Sequence, residues 1–193
     1  MFSGKIEDYI LFEDKEIIVC RKPAGIAVQN ARIGAMDLES SLKNYLAMQA
    51  GGGRKIPYLA VIHRLDQPVE GILVFGKTPE AAKSLSAQIT AGKMEKIYLA
   101  VTYGQQAENG KKETVLEDYL KKDGKSNTSS VVNAHTPGAK KARLSYEVLG
   151  EAVDAISGKK KWLLRIHLDT GRHHQIRVQM AHAGMPLAGD RKY

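Results

Sequence analysis

The segment HRLDQPVEG, at positions 63 to 71, places a histidine, an arginine and an aspartate within four residues. The apolar runs LAVI and ILVF on either side read as buried strands, so these charges come at the end of a strand. The proline and the glycine predict a rigid loop. A carboxylate on such a loop can act as a nucleophile or a base, which makes Asp66 the first catalytic candidate. The alternative is that Asp66 caps a turn and Arg64 forms a surface ion pair.

A second group of ionisable residues lies in GRHHQIRVQMAHAG, positions 171 to 184, where a helix is predicted over 172–183. Its cations near the predicted helix start are Arg172, His173, His174 and Arg177. Cations at the amino end of a helix oppose the helix dipole, so this placement favours a neighbouring anion, either a phosphate or a buried carboxylate. For Arg177, exposure to solvent is the alternative.

The histidines could also bind a metal ion, and the candidates are His63, His167, His173, His174 and His182. The sequence has neither an HExxH motif nor paired cysteines. His174 and His182 are two helical turns apart, which is too far to share one ion. We therefore expect no metal and, because no P-loop or dinucleotide fingerprint is present, no other cofactor.

Strands outnumber helices in the expected secondary structure and do not alternate strictly with them. This predicts an α+β fold with a mixed, mostly antiparallel sheet and flanking helices. The polar residues 104–141 are rich in Gly, Asn, Ser and Lys, so surface hairpins or a mobile insertion are expected there. The predicted helices are 38–50, 79–90 and 172–183. The predicted strands are 9–12, 17–21, 59–62, 72–76, 97–103, 142–149 and 161–169.

Composition limits the classes of protein to which the chain can belong. Its 193 residues are about one domain's worth, and 43% hydrophobic residues can build a core. No apolar run approaches the roughly 20 residues that span a bilayer, and no signal pattern opens the chain, so a cytoplasmic protein is expected. The single cysteine, Cys20, is expected to pack in the core in a reducing compartment. The net charge of +8 favours a polyanionic partner such as nucleic acid, although many soluble proteins are equally basic.

Taken in order, these segments resemble the RluA family of RNA pseudouridine synthases. The family's HRLD motif, followed by a glycine and an apolar strand, is present as HRLDQPVEGILVFGKT at positions 63 to 78. Its Lys-x-Tyr-x-Ala motif is KIYLA at positions 96 to 100, and its G-R-x-H-Q-I-R and G-D-x-x-Y motifs fall within residues 171–193. The opening IIVCRKPAGIAVQ is similar to the family's first strand and turn. Three co-linear motifs over nearly the whole chain identify it as a member of this family.

The resemblance implies a pseudouridine synthase catalytic fold in a single domain, residues 1–193, and the isomerisation of uridine to pseudouridine in ribosomal or transfer RNA. It implies that Asp66 is the catalytic carboxylate, that Arg177 pairs with it, and that Tyr98 stacks on the uracil. From the residues alone, Tyr98 also reads as a core aromatic on a strand. Arg64 is expected to fill the space that the flipped base leaves. Further RNA contacts are expected from His63, Arg172, His174 and Lys96.

Some features depart from the family pattern. Family members usually continue for a few dozen residues past G-D-x-x-Y, whereas this chain stops at Tyr193, so a truncated or unusually short member is expected. Gln67-Pro68 is an unusual pair after HRLD and affects the shape of the loop. Arg21 stands where asparagine is common. No RNA-binding domain of the S4 type precedes the catalytic part, so the catalytic domain itself is expected to hold the RNA, as a monomer.

Two other classes of function stay open. The chain could be an RNA-binding or ribosome-assembly module that has lost activity, or a metal-dependent hydrolase that uses the histidines.

Overall fold

The structure, a computed structural model, describes four stretches of the chain: residues 3–30, 36–52, 56–104 and 113–193. The chain divides into two compact units, Met1–Lys93 and Met94–Tyr193.

The first unit is built on a four-stranded antiparallel sheet in the order β1-β2-β4-β3. Its elements are β1 Ile10–Glu13, β2 Ile17–Lys22, α1 Leu38–Gln49, β3 Ala60–Val61, β4 Gly71–Gly76 and α2 Pro79–Thr90, with a 3₁₀ turn at Ile6–Tyr9. Each of these strands and helices falls within two residues of the predicted one, because short apolar runs and clear capping residues define them.

The helices of the first unit begin where side chains satisfy their free amide groups. The carboxylate of Asp37 accepts a hydrogen bond from the Ser40 amide at 2.7 Å, and the Thr78 hydroxyl accepts one from the Ala81 amide at 3.1 Å. One face of α1 then packs its leucines against the inward side of β2. Cys20 on that side is fully buried, which confirms its packing role, and burial raises the pKa of its thiol to about 12.

The second unit contains a five-stranded antiparallel sheet in the order β5-β9-β8-β6-β7, with one helix packed against it. Its elements are β5 Ile97–Tyr103, β6 Thr114–Asp123, β7 Thr128–Val132, β8 Lys140–Val153, β9 Lys160–Leu168 and α3 Gln175–His182. With helices grouped apart from antiparallel strands, the structure confirms the α+β class. Among the described residues, no helix is long and apolar enough to cross a bilayer.

Of the two alternatives expected over 104–141, surface hairpins or a mobile insertion, the described part of this region forms a hairpin of β6 and β7; residues 105–112 lie outside the described residues. Strands β6 and β7 are integral members of the sheet, and β8 already begins at Lys140. Leu120 is buried against Ala142 and Val178, whereas the next residues along β6 are exposed lysines. The apolar residues of β6 fall in two adjacent pairs, Val115-Leu116 and Tyr119-Leu120, so its sequence lacks the strict alternation that predicts a strand.

The end of β5 passes close to the end of α3 at a pair of glycines. Gly104 has φ +108, and a Cβ on it would overlap the carbonyl oxygen of Gly184. The carbonyl of Gly104 also accepts a hydrogen bond from Trp162 Nε1 at 2.9 Å. Only glycine therefore permits this approach.

We expect Gly104→Ala to lower the free energy of unfolding by about 1–3 kcal/mol, because it adds both backbone strain and a steric overlap. Gly124→Ala is the matched control, since its φ is not positive and a Cβ there meets no atom within 4 Å. Urea unfolding of both variants checks this. Equal stability of Gly104→Ala and the wild type would contradict the close approach.

Candidate active site

Asp66 lies on the loop between β3 and β4, where the chain turns tightly. Its backbone carbonyl accepts a hydrogen bond from the Val69 amide at 3.0 Å, and its side chain is half-buried. Leu65, just before it, packs against the core, and a Cβ on Gly71 would come within 2.9 Å of the Leu65 side chain. The leucine anchors the loop and the glycine makes room for it.

A second segment of the first unit, the turn after β2, holds the same loop from the other side. The Gly25 amide donates to the Gln67 carbonyl at 2.8 Å, and the Gln67 side-chain amide donates back to the Gly25 carbonyl at 3.0 Å. This reciprocal pair joins segments that are 42 residues apart. Gln67, the less usual residue after HRLD, thus gives the loop an additional contact.

Beneath both segments lies the ammonium group of Lys22, whose side chain is fully buried. Its Nζ donates to the carbonyls of Pro23 at 2.9 Å, Ile26 at 2.7 Å and Gln67 at 3.1 Å. All three donor hydrogens are therefore used, two within its own turn and one on the residue after Asp66. The lysine ties the two segments together from inside.

The charge of Lys22 is balanced by the loop. Burial lowers the pKa of its ammonium group, and the carboxylates of Asp66 and Glu70 act in the opposite direction. Asp66 thus lies close enough to a buried cation for their charges to interact. Sequence reasoning missed Lys22; the available signal was a lysine that continues the inward alternation of an apolar strand.

The other two predicted residues of this loop differ in their surroundings. His63 is half-buried, and its Nε2 accepts a hydrogen bond from the Val74 amide of β4 at 3.4 Å. Arg64 is exposed. The histidine therefore contributes to the shape of the loop, whereas the arginine extends into solvent.

In the second unit, Tyr98 and Arg177 lie on β5 and α3. Tyr98 is half-buried, faces Ile166 of β9 in the strand register, and packs against the core beneath α3. Its exposed neighbours Ile97 and Leu99 are on the other face of the sheet. The core therefore positions the ring, as expected for a core aromatic on a strand, and the ring remains partly accessible to solvent.

Arg177 is not a solvated helix residue. Its guanidinium forms a bidentate pair with Asp190, with Nε–Oδ2 at 2.6 Å and Nη2–Oδ1 at 2.8 Å, and the exposed fractions of the two side chains are 19% and 5%. The hydrogen bonds from Arg177 lower the pKa of Asp190. Asp190 belongs to the G-D-x-x-Y motif, yet the sequence did not indicate its role. The pairing of Arg177 with Asp66 stays a prediction.

The helix α3 begins at Gln175, three residues later than predicted, because His174 adopts a left-handed conformation with φ +53. The buried Gln175 side chain organises the preceding loop: its oxygen accepts from the Arg172 amide at 2.9 Å and the Thr170 hydroxyl at 2.8 Å. Its amide group donates to the Arg143 carbonyl at 3.0 Å. Arg172 thus belongs to an ordered loop rather than to the helix.

The predicted RNA-binding residues of the second unit lie around this loop. His174 Nδ1 is 2.7 Å from the Tyr193 hydroxyl, which also accepts from the Ser129 amide at 2.8 Å. Lys96 is half-buried next to Gly171, and burial lowers the pKa of its ammonium group, with Asp169 acting against that shift and Arg172 adding to it. Lys96 and Arg172 are therefore close enough to interact through their charges.

The histidines of this loop are held by hydrogen bonds. His173 Nδ1 is 2.9 Å from the Ser129 hydroxyl and its Nε2 is 3.1 Å from the Asn127 side-chain oxygen. The ring of His173 stacks on that of His174 with centroids 3.7 Å apart. In the part of the chain that the structure describes, no three His, Cys, Asp or Glu side chains come together as metal ligands would.

Comparisons with known proteins agree with the motifs. Residues 16–182 match the family model described as RNA pseudouridylate synthase. The ribosomal large subunit pseudouridine synthase D of Pseudomonas aeruginosa is 33% identical over 188 residues, which cover 97% of this chain and 54% of that protein. The tRNA pseudouridine synthase C of Haemophilus ducreyi is 32% identical over 95% of this chain and 73% of its own length. The chain spans about half the length of several such relatives.

Solved structures agree at the level of the fold. The human RNA pseudouridylate synthase domain containing 4 superposes with a TM-score of 0.75 at 23% identity, over 97% of this chain and 69% of that one. The human RNA pseudouridylate synthase domain containing 1 has a TM-score of 0.74 at 20% identity, over 98% and 71%. Since the family model matches most of the sequence, this chain belongs to the RNA pseudouridylate synthase family.

Proposed function

We propose that this protein converts specific uridines of ribosomal or transfer RNA to pseudouridine, with Asp66 as its catalytic carboxylate. Membership of the family supports the reaction class, and relatives named for ribosomal and transfer RNA support the two substrate classes. The structural observation that carries the proposal is that a carboxylate within the family's motif lies on a loop fixed by Lys22, Gly25 and Gln67. A cytoplasmic monomer that binds RNA through its own surface fits the single buried cysteine and the net charge of +8.

The reaction is an isomerisation within one nucleotide. The N1–C1′ glycosidic bond breaks, the uracil turns over, and a C5–C1′ bond forms; the proton on C5 is lost and N1 gains one. The target base must leave the stack to reach a side chain, so it is flipped into the site. An ionised Asp66 can attack the sugar carbon C1′ or act as a base that takes a proton, and both routes need the carboxylate free of a proton.

Lys22 acts in this proposal as a positioning residue. Its ammonium group donates to the carbonyl of Gln67, the residue next to Asp66, and its charge interacts with the Asp66 carboxylate. Because its own ammonium is buried and used by three carbonyls, it cannot approach the substrate. Its role is to fix where the Asp66 loop lies.

The remaining residues are assigned by the family motif and their surroundings. Tyr98 offers a half-buried ring for stacking on the uracil, and its hydroxyl is assigned to the loss of the C5 proton. Arg177, held by Asp190 within its own unit, is assigned the second task of pairing with Asp66. Arg64, exposed next to Asp66, is assigned to fill the gap in the RNA, and His63 to shape the loop.

We expect Asp66→Asn to abolish turnover while RNA affinity stays within a few-fold, because phosphate contacts from Lys and Arg supply most of the affinity. The measurement is tritium release from an RNA transcript labelled at C5 of uridine, with affinity from filter binding. Glu80→Gln, which removes an exposed carboxylate from α2 in the same unit, is the control and should remain active. Activity of Asp66→Asn near that of the wild type would refute the assignment. RNA binding by an inactive wild type would favour a binding module.

We expect Lys22→Met to lower the free energy of unfolding by about 1–3 kcal/mol, because three carbonyls lose a donor. The single-turnover rate should also fall when it is measured at a temperature at which the variant is fully folded. Lys77→Met is the control: it removes a half-buried ion pair with Glu13 in the same unit without touching the loop. Hydrogen exchange at the Gly25 and Val69 amides should accelerate only in Lys22→Met. A Lys22→Met protein with wild-type rate and protection would exclude the positioning role.

For Tyr98→Phe, packing and chemistry predict different results. The ring volume is kept, so stability should change little, and stacking worth roughly 1–3 kcal/mol per base should preserve RNA binding. If the hydroxyl assists loss of the C5 proton, product formation should fall sharply. A quench-flow time course followed by nucleoside analysis measures this. A wild-type rate would leave Tyr98 as a stacking platform only, and loss of both folding and binding would leave it as a core residue only.

A further inference from the structure

The second unit contains a cavity of about 240 Å³ whose wall includes two lysines and an arginine. It lies between the β6–β7 hairpin, the start of β8 and the loop that precedes α3. Its residues are Leu120, Lys122, Ser129, Gly138, Lys140, Gly171, Arg172 and His173. We propose that this cavity, the basic pocket, binds a backbone phosphate of the RNA; this rests on the proposed function.

The strand register brings the cations of the pocket together. Lys122 pairs with Ser129 across β6 and β7, and Leu120 pairs with Lys140 across β6 and β8. Residues directly opposite each other, and residues two apart on one strand, share a face of the sheet. Both lysines and the serine therefore project from the same face, around Leu120 as an apolar floor. Val178 of α3 packs on the same face beside them.

The loop before α3 completes the wall with Arg172 and His173. The Arg172 amide is bound by Gln175, and Arg172 Nε donates to the Lys141 carbonyl at 2.8 Å. Four guanidinium hydrogens remain for a ligand. His173 is held by hydrogen bonds with Ser129 and Asn127. These contacts order the polar groups of the pocket without involving Lys122 or Lys140.

The cations of the pocket differ from the neighbouring cations on β8, which form ion pairs with carboxylates. On the opposite face of β8, Lys141 pairs with Glu117 at 2.7 Å and Arg143 pairs with Asp169 at 3.0 Å. Across residues 113–193, no carboxylate forms an ion pair with Lys122, Lys140 or Arg172. The neighbouring Asp123 carboxylate accepts hydrogen bonds from the Lys125 backbone amide and the Ser126 hydroxyl in the hairpin turn. Three cations around one cavity without an anion favour an anionic ligand.

A phosphodiester fits the chemistry of the pocket better than a carboxylate or a flat base does. Lysines on two strands and an arginine on a loop approach from different sides, which suits the oxygens of a tetrahedral group. The cavity is several times the roughly 30 Å³ that one water occupies in the liquid. Lys96, beside Gly171 and Arg172, extends the positive surface towards β5, the strand of Tyr98. An RNA strand held at Tyr98 would find successive cations along this path.

The test compares two double variants that lower the net charge equally. Lys122→Ala/Lys140→Ala removes both lysines of the pocket, whereas Lys121→Ala/Lys159→Ala removes two exposed lysines outside it. The probe is a fluorescently labelled, unmodified tRNA transcript, titrated over a range of salt concentrations. Each phosphate contact contributes about 0.7 to 0.9 to the slope of log affinity against log salt.

We expect the pocket variant to lose about 0.7 to 0.9 from that slope, which is the contribution of one phosphate, and to bind more weakly at every salt concentration. The control variant should keep the wild-type slope, and both should keep the wild-type single-turnover rate at saturating RNA. Equal slopes in the two variants would overturn the proposal, as would a pocket variant that loses rate but not slope. A wild type that forms no pseudouridine in unmodified tRNA or in unmodified ribosomal RNA would refute the proposed function, while the slopes would still decide the phosphate site.

Discussion

The buried ammonium group of Lys22 is the interaction on which the geometry of the Asp66 loop depends. A charge in an apolar core is unfavourable unless every donor is used and an opposite charge lies near. Here three carbonyls take the three donors, and the Asp66 and Glu70 carboxylates supply the opposite charge. The cost of burying this cation is therefore offset only when the turn after β2 and the Asp66 loop are both in place. Folding of the first unit and placement of its carboxylate are thus coupled.

The second unit uses neutral amides for a comparable purpose. Gln175 and Gln179 are buried and bonded to each other at 2.9 Å, and Gln179 continues to the Asp118 carboxylate at 2.8 Å. This chain of hydrogen bonds fixes α3 on the sheet and orders the loop that carries Arg172. At the far side of the same helix, Arg177 binds Asp190 and its guanidinium lies over the Tyr193 ring, 5.0 Å from the centroid. Arg177, Asp190 and Tyr193, which belong to the family motifs, thus stabilise one another through direct contacts.

The sequence predicted most of the elements and the reaction class, and the reasons are specific. Thr78 followed by proline marks a helix start from local chemistry alone, and the apolar runs around HRLD mark their strands. The start of α3 was missed because the left-handed His174 depends on packing of the loop and not on helix propensity. The bounds of β6 and β7 were not predicted, because most of their residues are polar and the pairing of β6 with β8 and of β7 with β6 determines their conformation. The partners Lys22 and Asp190 depend on contacts that no local pattern encodes.

The central claim, that this chain makes pseudouridine through Asp66, is tested most directly in the cell. Pseudouridine would be mapped across ribosomal and transfer RNA in cells that lack the gene, and in the same cells after the wild-type or the Asp66→Asn gene is restored. The account predicts that at least one modified position disappears with the gene, returns with the wild type, and stays unmodified with Asp66→Asn. Identical maps in all strains, or restoration of the missing position by Asp66→Asn, would contradict it.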